Sequence, residues 1–279
     1  MAQALIGAGL SVEGCSTDGH ASAVSTPDRD PVALVRGALD RGDVLLAFQP
    51  VVQSMENGKI AFYEGLIRVL DDGGLVIPAC DFIDAVETIE MGRQLDCLAL
   101  EMGLIALSES PDLRLSVNMS ARSIGYPRWM ATLNQGFAKD PTVAERLILE
   151  ITEHSAMAMP DLVCAFMSEL QAKGVAFALD DFGAGTTALR YLREFYFDIL
   201  KIDGQFVRGI ADNPDNQVLA TAMIAIARHF DMFTVGESVE TARDAAWLAA
   251  AGVDCMQGYA FGAPSVVPPW QEGCQKRLA

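Results

Sequence analysis

The chain has 279 residues, of which 51% are apolar, and a formal net charge of −17. Such a charge excludes a binder of long nucleic acid or of anionic membrane surfaces, yet it admits a small phosphate ligand where bound divalent metals reverse the local field. There is no CxxC pair among the six cysteines, no basic start of a signal peptide, and no apolar run near the ~18 residues of a membrane span, so a cytoplasmic protein with reduced thiols is expected.

Residues 1–30 are rich in Ala, Gly, Ser and Thr without apolar periodicity, which predicts a disordered leader before one folded domain over 31–279. A short amphipathic helix starts at Pro31. Residues 44–52 and 59–70 read as strands joined at Glu56-Asn57-Gly58. An Asn-Gly pair predicts a hairpin, so these two strands should be antiparallel. After Asp72-Gly73-Gly74, Pro78 opens a helix through residue 90, and a longer helix covers about 93–108.

From there strand and helix alternate. Strands are predicted at 113–119, 147–152, 175–179, 199–202, 233–236 and 255–259, with helices at 127–137, 161–173, 216–230 and 241–251. Between the strands at 175–179 and 199–202 lie Asp180-Asp181, the turn Phe182-Gly183-Ala184-Gly185 and a further helical pattern. About eight strands in this rhythm predict a closed, mostly parallel (β/α)8 barrel, a fold that takes about 250 residues.

Each strand carries an isolated polar residue within or just after its apolar run: Glu64, Asn118, Glu150, Asp180 with Asp181, Lys201, Glu237 and Gln257. The carboxyl ends of barrel strands converge on one mouth, where catalytic groups collect. Carboxylates and one amide there suit hard, oxygen-loving ions such as Mg2+ or Mn2+. Zinc suits them less, because no cysteine or histidine ends a strand; His154 reads as a loop residue. Taken alone, Asp180 and Asp181 read equally as caps of the helix after Gly185.

Eight segments in order now carry a resemblance: FQPVV (48–52), YEGLIR (63–68), SVNMSAR (116–122), LEITE (149–153), LDDFGAG (179–185), LKID (200–203), GESVET (236–241) and QGYAFGAP (257–264). Together they resemble the EAL-domain cyclic-di-GMP phosphodiesterases. The resemblance implies a modified TIM barrel with an antiparallel first strand, and hydrolysis of cyclic di-GMP to linear pGpG with two Mg2+ or Mn2+ ions. It implies that Glu64, Asn118, Glu150 and Asp180 hold one ion, and that Asp180, Asp181 and Glu237 hold the second. Lys201 would orient or help deprotonate the attacking water, and Gln257 would position a water ligand. Glu153 would brace the loop after Asp181, while Arg68, Gln49 and Asp203 would meet the substrate. A weak homodimer is also implied.

The chain departs from the family pattern at three places. Gly65 stands for the usual alanine, Ser238 lies in the segment usually read AEGVE, and Thr186-Thr187 replace an aromatic and a serine. A non-catalytic cyclic-di-GMP receptor signalling through a partner is the competing reading. A structural barrel without ligand would leave the buried carboxylates without a partner.

Overall fold

The computed structural model describes residues 30–55, 58–185, 192–268 and 270. Helix α1 (Pro31–Arg41) is capped by Asp30, whose carboxylate accepts from Val32 N–H, and it closes on Gly42 in left-handed backbone. The antiparallel strands β1 (Val44–Gln53) and β2 (Ile60–Leu70) pair from Val44 with Val69 to Val52 with Ile60, as expected of the hairpin. Glu56 and Asn57 of its turn lie outside the described residues.

The helix expected from Pro78 to residue 90 is absent. Pro78 instead ends a short strand, β3 (Val76–Pro78), paired antiparallel with β2. As an edge strand it tolerates a residue with no N–H to donate. One 3-10 turn and the single-turn helix α2 (Ile83–Val86) follow. Ile89 is extended, which separates α2 from the long helix α3 (Glu90–Glu109).

Strands β4 (Leu115–Asn118), β5 (Leu147–Thr152), β6 (Ala176–Phe182), β7 (Ile199–Ile202), β8 (Phe233–Gly236) and β9 (Cys255–Gln257) complete the sheet. Helices α4 (Pro127–Lys139), α5 (Glu153–Ala158), α6 (Pro160–Gln171), α7 (Gly204–Val207), α8 (Pro214–His229) and α9 (Ala242–Ala251) pack around it. His154 therefore lies in the first turn of a helix rather than in a loop. The order β1-β9-β8-β7-β6-β5-β4-β2, closed by β1 with β2, makes an eight-stranded barrel to which β3 is an appendage. Only β1 runs against its barrel neighbours; the pairs from β2 round to β9 are parallel.

Strand alternation then sorts the side chains. Outward residues such as Val117, Leu149, Leu179 and Leu200 join the helices in the large outer core. Inward residues form two tiers. The lower tier is an apolar cluster of Val51, Phe62, Ile148, Ala178, Ile199 and Val235. Two residues further along each parallel strand, towards its carboxyl end, comes a polar tier. Residues 1–29 of the expected leader lie outside the described residues, whereas its last residue, Asp30, caps α1; residues 186–191 of the helix expected after Gly185, Thr186 and Thr187 among them, also lie outside.

Candidate functional site

Every strand of the barrel contributes to the polar tier by the same spacing. Glu64 stands two residues beyond Phe62, Glu150 beyond Ile148, Asp180 beyond Ala178, Lys201 beyond Ile199 and Glu237 beyond Val235. Asn118 and Gln257 follow Ser116 and Cys255 in the same way. Gln49, on the reversed strand β1, precedes Val51.

Lys201 is the hub. Its ammonium lies 2.6 Å from Glu150 Oε2, 2.7 Å from Glu237 Oε1, 3.0 Å from Asp180 Oδ1 and 3.3 Å from Glu64 Oε2. Its side chain is 1% exposed, so its charge depends entirely on these partners. Glu64 is held from its other side, where Asn118 Nδ2 donates to Oε1 at 2.8 Å and Gln257 Nε2 to Oε2 at 2.7 Å. Gln257 Nε2 also reaches Gln49 Oε1 at 3.1 Å, and Gln49 Nε2 donates to the Gly262 carbonyl.

Simple alternation would send Asp181 to the opposite face from Asp180. Instead the β6–β7 register is irregular between Leu179 and Phe182, and Asp181 adopts a φ of 55°. Bulges of this kind re-aim side chains beside active sites. Ligand atoms of Asp180, Asp181 and Glu237 consequently lie within 4.8 Å of one another. The next turn depends on Gly183 at φ 97°, where a Cβ would stand 2.6 Å from Met223 and 2.7 Å from Phe206. Its N–H donates to Glu153 Oε2 at 3.0 Å, which ties this turn to the first residue of α5.

Protonation follows from burial and charge. Burial acts to lower the Lys201 pKa, but Asp180, Glu150, Glu237 and Glu64 outweigh it and hold the ammonium. The lysine is therefore a charged donor here. Burial pushes the Glu150 carboxyl up to about 8, with Glu64 adding to the rise and Lys201 opposing it. Burial likewise raises Glu237 far above the usual carboxylate range and, helped by Asp180 and Asp203, takes Asp181 to about 7. Glu64 goes the other way: burial opposes ionisation, but Lys201, Gln257 and Asn118 together leave it below the ordinary value.

The remaining sequence candidates sit at the rim. Arg68, four residues above Glu64 on β2, is buried, and its Nη1 donates to its neighbour Ile67's carbonyl. Asp203 caps α7 by accepting from Gln205 N–H at 2.7 Å. At Gly65 an added Cβ would stand 3.0 Å from Leu46 Cδ2 and 3.2 Å from the Ser116 carbonyl, so the methyl absent here relieves a crowded spot.

Two features escaped the sequence reading. Asp96 on α3 accepts from Ser120 N–H and Ser123 Oγ, fixing the loop after Asn118, and burial lifts its carboxyl to about 6. Arg208, beyond α7, donates to Ser238 Oγ at 3.0 Å, across 30 residues of sequence. Neither left a signal in the sequence, because each contact joins segments more than twenty residues apart.

The donor set fits hard cations. Glu150 Oε1 and Gln257 Oε1 are buried with no hydrogen-bond partner, although native interiors rarely leave such atoms unpaired. Five carboxylates (Glu64, Glu150, Asp180, Asp181, Glu237) face one ammonium, a formal balance of −4 that two divalent ions match.

Comparison with known proteins agrees with this geometry. Residues 33–264 match the EAL domain family. The bifunctional diguanylate cyclase/cyclic di-GMP phosphodiesterase MucR of Pseudomonas aeruginosa is 30% identical over 236 residues, covering 82% of this chain and 34% of MucR. Cyclic di-GMP phosphodiesterase PdeB of Shewanella oneidensis is 28% identical over 246 residues, covering 87% of this chain and 29% of PdeB. The chain thus spans about a third of the length of these curated relatives. Among solved structures, the MucR phosphodiesterase in complex with c-di-GMP superposes with a TM-score of 0.73 at 28% identity, covering 87% of this chain and 99% of that one. The FimX EAL domain of P. aeruginosa bound to c-di-GMP gives 0.76 at 25% identity, covering 86% and 98%.

Proposed function

The chain belongs to the EAL domain family, and from that premise we propose that it is a metal-dependent phosphodiesterase that hydrolyses cyclic di-GMP to linear pGpG. The observation that carries this reading is the buried Lys201 inside four carboxylates, beside the Asp180–Asp181–Glu237 cluster. A receptor needs only to hold its ligand and gains nothing from burying so many ionisable groups, each expensive to desolvate.

In this reading Glu64, Asn118, Glu150 and Asp180 would hold one Mg2+ or Mn2+ ion, and Asp180, Asp181 and Glu237 would hold a second. Two such ions would supply an activated water and offset charge on the phosphate. The chain's own groups do the rest. Lys201, kept protonated by its carboxylates, donates to the water oxygen and orients it. Gln257, with one amide hydrogen spent on Glu64 and its Oε1 unpartnered, positions a second water. Arg68 presents its guanidinium fork to a phosphate; Gln49 and Asp203 line the substrate cleft. Glu153 holds the turn after Asp181 through Gly183. In net terms water adds across one phosphorus–3′-oxygen bond: the water oxygen bonds to phosphorus, that bond breaks, and one proton of the water passes by way of solvent to the leaving 3′-oxygen, so the linear product keeps a 5′-phosphate.

The test is direct. The purified protein is incubated with cyclic di-GMP and Mg2+ or Mn2+, and products are separated by chromatography. We expect pGpG, its loss after dialysis against EDTA, and suppression by Ca2+, whose longer and more numerous contacts disturb water placement. Binding without consumption establishes the receptor instead. The same reading includes a weak homodimer, checked by light scattering over a concentration series. It also includes a cytoplasmic location; among the described residues no helix is long and apolar enough to cross a membrane.

A further inference from the structure

Glu237 is a ligand in the proposed function, and the residue that follows it has an unusual backbone. Ser238 has a φ of 53°, one of three non-glycine residues at positive φ among the described residues. The left-handed region costs a residue with a Cβ about 1–2 kcal/mol, so the surroundings must impose it. The neighbours on both sides are pinned: Glu237 N–H donates to the Ile202 carbonyl at 3.2 Å and Val239 N–H to the Gln257 carbonyl at 2.9 Å. Between them Arg208 Nη2 donates to Ser238 Oγ at 3.0 Å, while its Nε lies 3.7 Å from Glu240 Oε1. The serine side chain fills the space over Gly204: a Cβ built there would stand 2.5 Å from Ser238 Oγ and 2.7 Å from its Cβ.

We propose that Ser238, latched by Arg208 and seated over Gly204, is a positioning residue that aims Glu237 into the acidic cluster. The latch spans the loops after strand β7, which carries Lys201, and strand β8, which ends one residue before Glu237. It therefore sets the separation of the Lys201–Glu237 pair, 2.7 Å here, and of Glu237 from Asp180 and Asp181. This inference rests on the metal-site reading above, so its test includes a readout that needs no metal.

Four variants decide it: Ser238→Ala, Ser238→Gly, Gly204→Ala and the double variant Gly204→Ala/Ser238→Gly. Two quantities are measured, Mn2+ affinity by calorimetry and amide hydrogen exchange over residues 236–240 in metal-free protein. Ser238→Ala keeps the unfavourable φ and loses the latch, so Mn2+ should bind about tenfold more weakly, the scale of a lost outer-shell partner. Exchange over 236–240 should accelerate in parallel. Ser238→Gly loses the same hydroxyl and, with no Cβ, leaves the backbone freer still, so it should be at least as impaired as Ser238→Ala in both readouts. Gly204→Ala should resemble Ser238→Ala through its clash, and the double variant, free of the clash but without the latch, should match Ser238→Gly and not wild type. A Ser238→Ala protein equal to wild type overturns the proposal. So does a Ser238→Gly protein equal to wild type, or a double variant that recovers to wild type without the latch. A wild type that binds no Mn2+ would remove the metal-site reading, while the exchange pattern would still decide whether Ser238 holds Glu237.

Discussion

The two tiers inside the barrel differ by two residues on the same strands, yet opposite rules govern them. In the lower tier Phe62, Ile148 and Val235 bury apolar surface, each adding to stability at about 25 cal/mol per Å2 removed from water. In the upper tier Glu64, Glu150 and Lys201 are as thoroughly buried, and there burial opposes every charge. Equal burial thus stabilises one layer and loads the other. The lower tier also serves the upper one: an apolar floor keeps the medium around Lys201 poorly polarisable, which strengthens its ion pairs. The pairing shows that alternation places side chains without regard to their chemistry, so a polar layer must be made tolerable by its own internal partners.

Replacing Lys201 with Met is the severest way to break the contrast. It leaves four carboxylates facing one another without their cation, and loss of a buried partner costs about 3–5 kcal/mol. Turnover should fall at least ~10²-fold, the scale of a positioned proton-handling group. Urea melts and product assays on one preparation check both, and unchanged turnover would remove Lys201 from the reaction. Ile148→Ala works on the other tier. It should lower stability by about 3 kcal/mol through a cavity, while the folded fraction keeps a near-normal kcat. A collapse of kcat at intact fold would mean that the floor acts on the chemistry directly.

Glu150→Gln sharpens the comparison through pH. The folded-state pKa of Glu150 is raised from 4.5 to about 8, so the stability tied to its proton is complete below 4.5 and is lost as pH rises through 8. In EDTA, wild-type melting temperature should drop between about pH 5 and 8, and the neutral glutamine should drop less. Parallel curves would show that Glu150 is not the titrating group. The smallest effect belongs to Ser116, in the lower tier directly beneath Asn118, with a buried Oγ that has no hydrogen-bond partner. Ser116→Ala should change stability by less than about 1 kcal/mol, towards the stabilising side. A clear loss in a chemical-denaturation curve would reveal a partner for that hydroxyl, such as a bound water.

Much of this architecture was legible because period-two alternation and Gly or Pro boundaries are local signals. The strands at 147–152, 199–202 and 233–236 run over the residues expected, and the polar tier stood out as single polar residues in apolar runs. What stayed hidden depends on pairing between distant segments. The bulge that turns Asp181 beside Asp180 exists only in the register of β6 against β7. Pro78 carries a helix-start signal, yet pairing with Arg68 makes it the end of an edge strand. The Arg208–Ser238 contact joins two loops whose sequences say nothing of each other.

The reversal of β1 has a consequence for how the domain can be addressed. In an all-parallel barrel the first strand begins on the floor, far from the chemistry. Here β1 begins at the rim: Val44 pairs with Val69, one residue above Arg68, and Arg41 reaches the Leu70 carbonyl and Asp72. Helix α1 is thereby fastened to the strand that carries both Glu64 and Arg68. Asp30 is joined to the polar mouth by one helix and one hairpin strand, without crossing the barrel. Single-strand reversal places the amino-terminal edge of the fold beside the polar tier rather than on the floor.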